Sequence, residues 1–302
     1  MSSDVVKIVE VGPRDGLQNE KKTLSVDERV ELIRRLQKSG CRSIEGGSFV
    51  SPTAIPQMID SEKVWEALKA EATLDLSFLV PNQKGLDRAL QVGVKSIAIF
   101  TATSDSFTNK NIGMSVKESL KVCDSIVPAA MKAGIKVRGY ISTAFGCPYE
   151  GAQTPSKLYP IVKNLFELGC YEISIGDTIG VAHSKQVEEV FRELKSQFGL
   201  EKIAGHFHDT RGAALLNIKT AVDLGLRVFD SSIGGLGGCP YAQGSSGNVA
   251  TEEVVWWLHG VGLKTGIELT DLLSTAAWVE QKISRPLKSK LFLSNPKTLY
   301  YF

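Results

Sequence analysis

Residues 6–11 read VKIVEV, and they begin a unit that the rest of the chain repeats. Apolar and β-branched residues in such a short run favour a strand. A polar loop follows the run, and then an amphipathic helix that begins near Val26 and ends at Gly40. Glycine is the usual residue just after a helix. A strand, a loop and a helix in this order are typical of a parallel sheet.

The same unit recurs along the whole chain. Strands are predicted at residues 6–11, 43–45, 74–80, 96–101, 136–142, 172–176, 203–208 and 228–232. Helices are predicted to end near Gly93, Gly134, Gly169, Gly199, Gly225 and Gly262, with Ser25, Ser61, Ser115 and Ser184 as candidate N-caps. We therefore predict an α/β fold, a closed (β/α)8 TIM barrel, in preference to an open doubly wound sheet. No linker divides the chain, so 1–302 is predicted to be one domain with a short C-terminal helical extension from about 268 to 302.

Composition excludes several classes of protein. The chain has 302 residues, of which 43% are hydrophobic, and this suffices for a large core. Lys and Arg number 35 against 33 Asp and Glu, without a basic stripe, which argues against nucleic-acid binding. No apolar run is long enough for a membrane helix. The N-terminus lacks a secretory pattern, and the five scattered cysteines predict free thiols in the cytoplasm.

Two histidines lie two residues apart in the stretch 203–209 (IAGHFHD). Side chains at this spacing on a strand share a face, so His206 and His208 form half of a divalent-metal site. The alternative is one buried, hydrogen-bonded histidine beside a surface histidine. Other predicted strands also end in polar residues, namely Arg14, Asp15, Glu45, Asn82, Asp177 and Thr178. Because a barrel carries its functional groups at the carboxyl ends of its strands, this convergence favours the metal site.

Asp15 would add a carboxylate to the two imidazoles. Such a mixed set suits Mg²⁺ or Mn²⁺ when the remaining ligands are oxygens, and Zn²⁺ or Fe²⁺ otherwise. Arg14 keeps its proton, so it could stabilise an oxygen that becomes an enolate. The alternative is a surface ion pair of little value. The flanking Gly12 and Gly16 indicate a tight turn, which favours the functional interpretation.

Cys239 lies in the glycine-rich stretch 234–244, after the last predicted strand. A thiol there could donate a proton to a carbanion or an enolate. The alternative is an inert, small apolar residue. The stretch matches no nucleotide-binding pattern.

Taken together, these residues resemble the 3-hydroxy-3-methylglutaryl-CoA lyase family. The resemblance covers about 6–266. Its strongest parts are the segments 9–20 (VEVGPRDGLQNE), 48–52 (SFVSP), 146–151 (GCPYEG), 176–180 (GDTIG) and 235–241 (GLGGCPY).

The resemblance implies a metal-dependent TIM barrel that cleaves 3-hydroxy-3-methylglutaryl-CoA to acetyl-CoA and acetoacetate, a reaction of leucine degradation and ketone-body formation. The implied cofactor is Mg²⁺ or Mn²⁺, and the implied metal ligands are Asp15, His206, His208 and Asn248. Arg14 is implied as the enolate-stabilising group and Cys239 as a proton donor, with His206 or Asp15 as the base. Positions implied around the substrate are Gln18, Glu45, Tyr140, Asp177 and Thr178. Lys21, Lys22 and Lys110, in loops of the rim, are candidates for the CoA phosphates, and a homodimer is expected.

Two positions depart from the family pattern. Gly46 and Gly47 stand where a larger or hydroxylated pair is expected before Ser48, and we expect them to loosen the second strand or to widen the pocket. Arg211 stands where a tyrosine is common. Either change leaves open a lyase for a related 3-hydroxyacyl-CoA. The sequence also leaves open a condensing barrel of the isopropylmalate or homocitrate synthase type, and a non-catalytic scaffold that binds metal or acyl-CoA.

Overall fold

Eight parallel strands close into a barrel in the computed structural model, which describes residues 4–238 and 247–294. The described residues contain ten strands: β1 (Lys7–Glu10), β2 (Ser43–Ser48), β3 (Asp75–Leu79), β4 (Ser96–Ala102), β5 (Lys136–Ser142), β6 (Gly146–Cys147), β7 (Gly151–Ala152), β8 (Glu172–Asp177), β9 (Ile203–Phe207) and β10 (Val228–Ser231). Around the barrel the order is β1-β10-β9-β8-β5-β4-β3-β2, while β6 and β7 form a separate antiparallel hairpin. The predicted closed barrel is confirmed.

Helices connect successive strands and pack outside them. They are α1 (Val26–Lys38), α2 (Ser61–Leu68), α3 (Gln83–Val92), α4 (Asp105–Ile112), α5 (Val116–Lys132), α6 (Pro155–Leu168), α7 (Ser184–Phe198), α8 (Ala214–Leu224), α9 (Thr251–Gly260), α10 (Leu269–Ile283) and α11 (Lys290–Leu293). The last two helices lie within the range 268–302 that the sequence predicts as a C-terminal extension. Within the described ranges, no helix is both long enough and apolar enough to span a membrane.

Two of the four predicted serine caps are confirmed. Ser25 and Ser115 accept the backbone N–H three residues on, and a glutamate closes a capping box at each. Ser61 and Ser184 are instead the first residues of α2 and α7, so those predictions were one residue late. The cap of α7 is His183, whose Nδ1 accepts the N–H of Gln186 at 3.4 Å. This contact gives His183 a structural role at the start of α7.

The two faces of the barrel strands differ in chemistry. Alternate residues such as Ile8, Ile44 and Phe78 belong to the large apolar core beneath the helices. The opposite face points into the barrel, where Val9, Val11, Ala204 and Val228 make only a small apolar cluster. A second apolar cluster contains Leu79, Ala98 and Tyr140. Buried charged residues, among them Arg138, Glu172 and Asp230, also lie in the interior.

Candidate metal centre and cavity

The turn after β1 brings Arg14 and Asp15 to the rim of the barrel. Residues Gly12–Gly16 form one π-helical turn in which the carbonyl of Val11 accepts the N–H groups of Arg14 and Gly16, each at 3.2 Å. A Cβ on Gly12 would lie 2.6 Å from Glu10 Oε1, and one on Gly16 would lie 2.7 Å from Ser232 Oγ. The predicted tight turn is present, and close packing leaves no room for a Cβ at either glycine.

Arg14 is a buried cation with two carboxylate partners. Its Nε donates to Glu45 Oε2 at 2.6 Å, and its Nη1 donates to Asp15 Oδ1 at 2.9 Å. Burial alone would lower the pKa of Arg14, but the negative charges of Glu45 and Asp15 outweigh it and raise the pKa. For Glu45 burial is the stronger influence, and it raises the pKa of that carboxyl in spite of Arg14. The structure thus maintains a permanent positive charge at the rim.

Asp15, His206 and His208 form one cluster of possible metal donors. One ligand atom from each lies within 4.8 Å of the others. Burial would raise the pKa of Asp15, but Arg14 and the two histidines outweigh it and lower the pKa. His208 Nδ1 is buried without a hydrogen-bond partner among the described residues, an arrangement that costs free energy unless another group binds. A carboxylate, two imidazoles and an unpaired ring nitrogen fit a divalent cation.

Asn248 adjoins this cluster, but its amide presents nitrogen. The Nδ2 atom donates to Asp15 Oδ2 at 2.7 Å and to the carbonyl of Leu236 at 3.1 Å. A metal needs the amide oxygen, so the side chain would have to turn over to act as a ligand. Its role as a ligand remains a prediction.

Behind His206 lies Asp230, which the sequence analysis missed. The ring Nδ1 of His206 is 3.1 Å from Asp230 Oδ2. Arg138 approaches both carboxylate oxygens, and the hydroxyl of Ser174 donates to Oδ2 at 2.7 Å. Burial would raise the pKa of Asp230, but Arg138 and His206 hold it well below its usual value. A charged residue inside an apolar β-run was the available signal.

A cavity of about 380 Å³ opens over these groups. Among the residues that line it are Arg14, Asp15, Gln18, Tyr140, Thr178, His206 and His208, with an apolar side formed by Ile55, Leu79, Phe100, Phe107, Ile112 and Met114. The hydroxyl of Tyr140 is buried and has no partner within the described part of the chain. Thr178 Oγ1 accepts the N–H of Thr143 at 2.8 Å. The cavity therefore combines a polar base with an apolar wall.

Other predicted site residues lie outside this lining. Glu45 is wholly buried beneath Arg14. The carboxylate of Asp177 accepts the N–H groups of Val181 and Ala182 at 2.9 and 3.0 Å, and so shapes the loop after β8. The substrate role of Asp177 remains a prediction. Cys239 lies outside the described residues.

Two of the three candidate lysines make local contacts. Lys21 is exposed. Lys22 Nζ donates to Ser284 Oγ at 3.1 Å. Lys110 Nζ lies 3.9 Å from the ring centre of Tyr149. Their proposed contact with CoA phosphates remains a prediction.

The two departures from the family pattern have local structural causes. Pairing between β2 and β3 shifts register between Glu45 and Gly47, and the expected loosening of the second strand stays a prediction. The expected widening of the pocket is wrong, because neither glycine lines the cavity. A Cβ on Gly46 would meet Leu76 Cδ1 at 2.6 Å, so a neighbouring side chain already fills that space. Arg211 also lies off the cavity, where its Nη1 donates to the carbonyls of Ile179 and Gly180.

Comparison with known proteins gives matches over nearly the full chain. A family model described as HMGL-like matches residues 5–279. Mitochondrial hydroxymethylglutaryl-CoA lyase of Bos taurus is 46% identical over 286 residues, which are 95% of this chain and 88% of the relative. The HMG-CoA lyase structure of Bacillus subtilis has a TM-score of 0.93 at 44% identity and covers 97% of this chain and 98% of its own. An HMG-CoA lyase structure from Acinetobacter baumannii, in complex with coenzyme A and 3-methylmalate, has a TM-score of 0.94 at 33% identity, with coverage of 100% and 99%.

Proposed function

Because this chain belongs to the HMGL-like family, we propose that it is an enzyme that cleaves 3-hydroxy-3-methylglutaryl-CoA to acetyl-CoA and acetoacetate. The observation that carries this proposal is the juxtaposition of Arg14 with Asp15, His206 and His208 in one cavity. A carbon–carbon cleavage of this kind needs a place for the substrate hydroxyl and a cation for the enolate that departs. The turn after β1 provides the cation, Arg14, and Asp15. The end of β9 adds His206 and His208, so that the possible metal donors lie beside the cation.

The proposed cofactor is Mg²⁺ or Mn²⁺. Asp15, His206 and His208 would hold it, with Asn248 as a fourth ligand after its amide turns over. When bound, such an ion supplies Lewis acidity that makes the tertiary hydroxyl of the substrate easier to deprotonate. The unpaired nitrogen of His208 and the mixed donor set support the assignment.

Arg14 is proposed to stabilise the negative charge that develops during cleavage. The bond between C2 and C3 breaks, its electron pair passes to the thioester enolate, and the hydroxyl oxygen becomes the ketone of acetoacetate. The guanidinium is held by Glu45 and Asp15 before any substrate arrives, so it needs no reorganisation. Its raised pKa keeps the charge in place at any working pH.

Two proton transfers complete the reaction. A base takes the hydroxyl proton, and His206 and Asp15 are the family's candidates that line the cavity beside Arg14. The role falls to Asp15 where His206 binds the ion, because a ring that binds through one nitrogen and donates from the other has no lone pair left for a proton. A proton must then reach C2 of the enolate to give acetyl-CoA. We assign this role to Cys239 on the family resemblance.

The remaining cavity residues are proposed to select and orient the substrate. Tyr140 and Thr178 line the cavity with hydroxyl groups, and the hydroxyl of Tyr140 is available to a ligand. Gln18 contacts both Arg14 and Asp15 and would hold their relative position. The apolar wall suits the pantetheine arm of an acyl-CoA, with Lys21, Lys22 and Lys110 as candidates for its phosphates.

Acetoacetate release from 3-hydroxy-3-methylglutaryl-CoA is the direct test. Wild-type protein should release acetoacetate with Mg²⁺ and should lose this activity with a chelator. Cys239→Ala should greatly reduce the release. Cys170→Ala is the matched control, because this buried thiol lies outside the cavity and should leave the activity unchanged. No acetoacetate with metal present would contradict the proposed reaction.

Further assays distinguish the competing functions. Turnover of another 3-hydroxyacyl-CoA in place of the proposed substrate would identify a related lyase. Steady release of free CoA from acetyl-CoA and a 2-oxo acid would identify a condensing synthase. Metal binding with every thioester left intact would favour the scaffold.

We also propose a homodimer in a reducing compartment such as the cytoplasm, acting in leucine degradation and ketone-body formation. The four described cysteines are buried free thiols, which suit a reducing environment. Trp256, Leu216 and Val261 are exposed apolar residues available to a second subunit. Light scattering of the purified protein tests the dimer, and a monomer would contradict it.

A further inference from the structure

A row of charged side chains crosses the barrel interior and ends at His206. Lys7 Nζ lies 3.0 Å from Glu172 Oε2, and Glu172 Oε1 accepts from Arg138 Nε at 2.7 Å. Arg138 then donates to Asp230 Oδ1 from Nη2 at 2.7 Å and to Oδ2 from Nη1 at 3.2 Å. Asp230 in turn contacts His206. Except at the Lys7 end, every member of this row is buried or nearly so.

The position of Asp230 follows from strand register. Asp230 on β10 lies opposite His206 on β9, so the two side chains stand at one level of the barrel. Arg138 on β5 and Ser174 on β8 reach the same carboxylate from the other side of the interior. Four strands therefore fix this one group.

The contacts of Asp230 determine which ring nitrogen of His206 carries the proton. An ionised carboxylate only accepts hydrogen bonds. Since Asp230 Oδ2 faces Nδ1 of the ring at 3.1 Å, Nδ1 must be the donor, and in the neutral ring the lone pair is then on Nε2. Only a nitrogen with a free lone pair can bind a cation.

We propose that Asp230, held by Arg138, is a positioning residue that fixes the ring and the tautomer of His206 with Nε2 available to the divalent ion. The inference rests on the proposed metal-dependent function. It adds Asp230 and Arg138 to the residues that serve the metal site. In His208 it is Nδ1 that lacks a partner among the described residues, and this is the nitrogen left for a ligand.

Asp230→Asn is the decisive variant, because it keeps the shape of the side chain. Arg138 will retain the amide oxygen, so the amide NH₂ will face His206 and the ring proton will move to Nε2. Calorimetric titration of the full-length protein with Mn²⁺ should then show affinity about 10–100-fold weaker than wild type. Thermal unfolding without metal checks that the variant is folded.

Glu172→Gln is the matched control. It removes another buried carboxylate partner of Arg138, but one that does not touch His206. We expect its Mn²⁺ affinity to stay close to that of wild type. An equal loss in both variants would mean that the charge network acts only through general stability, and would overturn the proposal.

Nitrogen NMR of the metal-free protein gives a readout independent of metal and of activity. The chain has only four histidines, so ¹⁵N-histidine labelling gives a readable spectrum. Recorded at a pH at which the ring is neutral, the His206 signals should show Nδ1–H in wild type and Nε2–H in Asp230→Asn. Nε2–H in wild type, or unchanged Mn²⁺ affinity in Asp230→Asn, would overturn the positioning role alone. A wild-type protein that binds no Mn²⁺ would contradict the proposed metal site as well.

Discussion

Two buried carboxylates at the same end of the barrel differ in their partners. Asp230, inside the barrel, contacts Arg138 and His206, and its pKa lies well below the usual value. Glu10, at the end of β1, is equally buried, but burial raises its pKa to about 7. Its partners are the hydroxyl of Thr251 and two backbone N–H groups, and the carboxyl of Glu252 repels it. Burial is the same in both places, so the presence of a cationic partner decides the charge.

The difference corresponds to two uses of a buried acid. Asp230 keeps a charge that orients a side chain at the site. Glu10 and Glu252 accept the N–H groups of Ile233 and Gly234, and so hold the turn that follows β10. Neutral carboxyl groups can do this structural work, whereas the orientation of His206 needs an ionised acceptor.

Arg138→Met should have the largest effect on stability. It leaves Asp230 and Glu172 buried without their guanidinium, and breaking a buried ion pair costs about 3–5 kcal/mol. Chemical denaturation measures the loss. Arg29→Met is the control: Arg29 is also buried, but within the described part of the chain its guanidinium donates only to the carbonyl of Ile59, from Nη2. Equal losses in the two variants would show that burial of the side chain, and not the pairing of charges, decides the effect.

Arg14→Met tests the role of the buried cation at the rim of the barrel. Loss of one preorganised electrostatic group lowers the catalytic rate by about 10²–10³-fold. Stability should fall less than in Arg138→Met, because the raised pKa of Glu45 lets this carboxyl become neutral when its partner is removed. Acetoacetate release and denaturation, measured on the same preparation, separate the two effects. Full activity in Arg14→Met would remove the proposed enolate-stabilising role.

The barrel and its rim could be predicted because their signals are local. Apolar strand runs, glycines after helices and polar residues at strand ends each occupy a few neighbouring positions, and the rule that a barrel has one functional rim joins them. That rule is what connected Asp15 with His206 and His208, although nearly two hundred residues separate them in the chain.

The interior network could not be predicted from the same signals. Arg138 and Asp230 lie in the middle of predicted strands, where a charged residue is typical of a strand with one face in water. Only closure of the barrel places that face in the interior and brings β5, β8, β9 and β10 around one carboxylate. The pocket effect expected of Gly46 failed for a related reason, because Leu76 on the neighbouring strand fills the space.

Glu10→Gln should change how stability depends on pH. The pKa of Glu10 is about 7 in the folded protein and 4.5 in its ordinary state, so its contribution is fully present below about pH 4.5 and is lost as the pH rises through 7. The loss amounts to about 3 kcal/mol at most. Glutamine cannot ionise, so the variant should lose less unfolding free energy than wild type between pH 5 and 8.

Glu28→Gln is the control of opposite sign. Hydrogen bonding to the backbone of Ser25 lowers the pKa of Glu28, so its contribution is present above its ordinary pKa and disappears as the pH falls. The two variants should therefore shift the pH profile of stability in opposite directions. Parallel pH profiles of unfolding free energy for Glu10→Gln and wild type would show that burial does not raise the pKa of Glu10. The difference in charge between Glu10 and Asp230 would then not exist.

Lys7→Met should have the smallest effect, because Lys7 lies at the exposed end of the same charged row. Its ammonium is 3.0 Å from Glu172, but its side chain is 26% exposed, and ion pairs open to water contribute about 0.2–1 kcal/mol. Added salt should remove most of this contribution, whereas the effect of Arg138→Met should hardly change, since buried pairs are screened much less. Chemical denaturation of both variants at low and high salt measures how the salt sensitivity of the two ion pairs differs. Equal sensitivity to salt in the two variants would mean that water reaches the whole row of charged side chains. The ion pair with Arg138 would then not be what keeps Asp230 ionised.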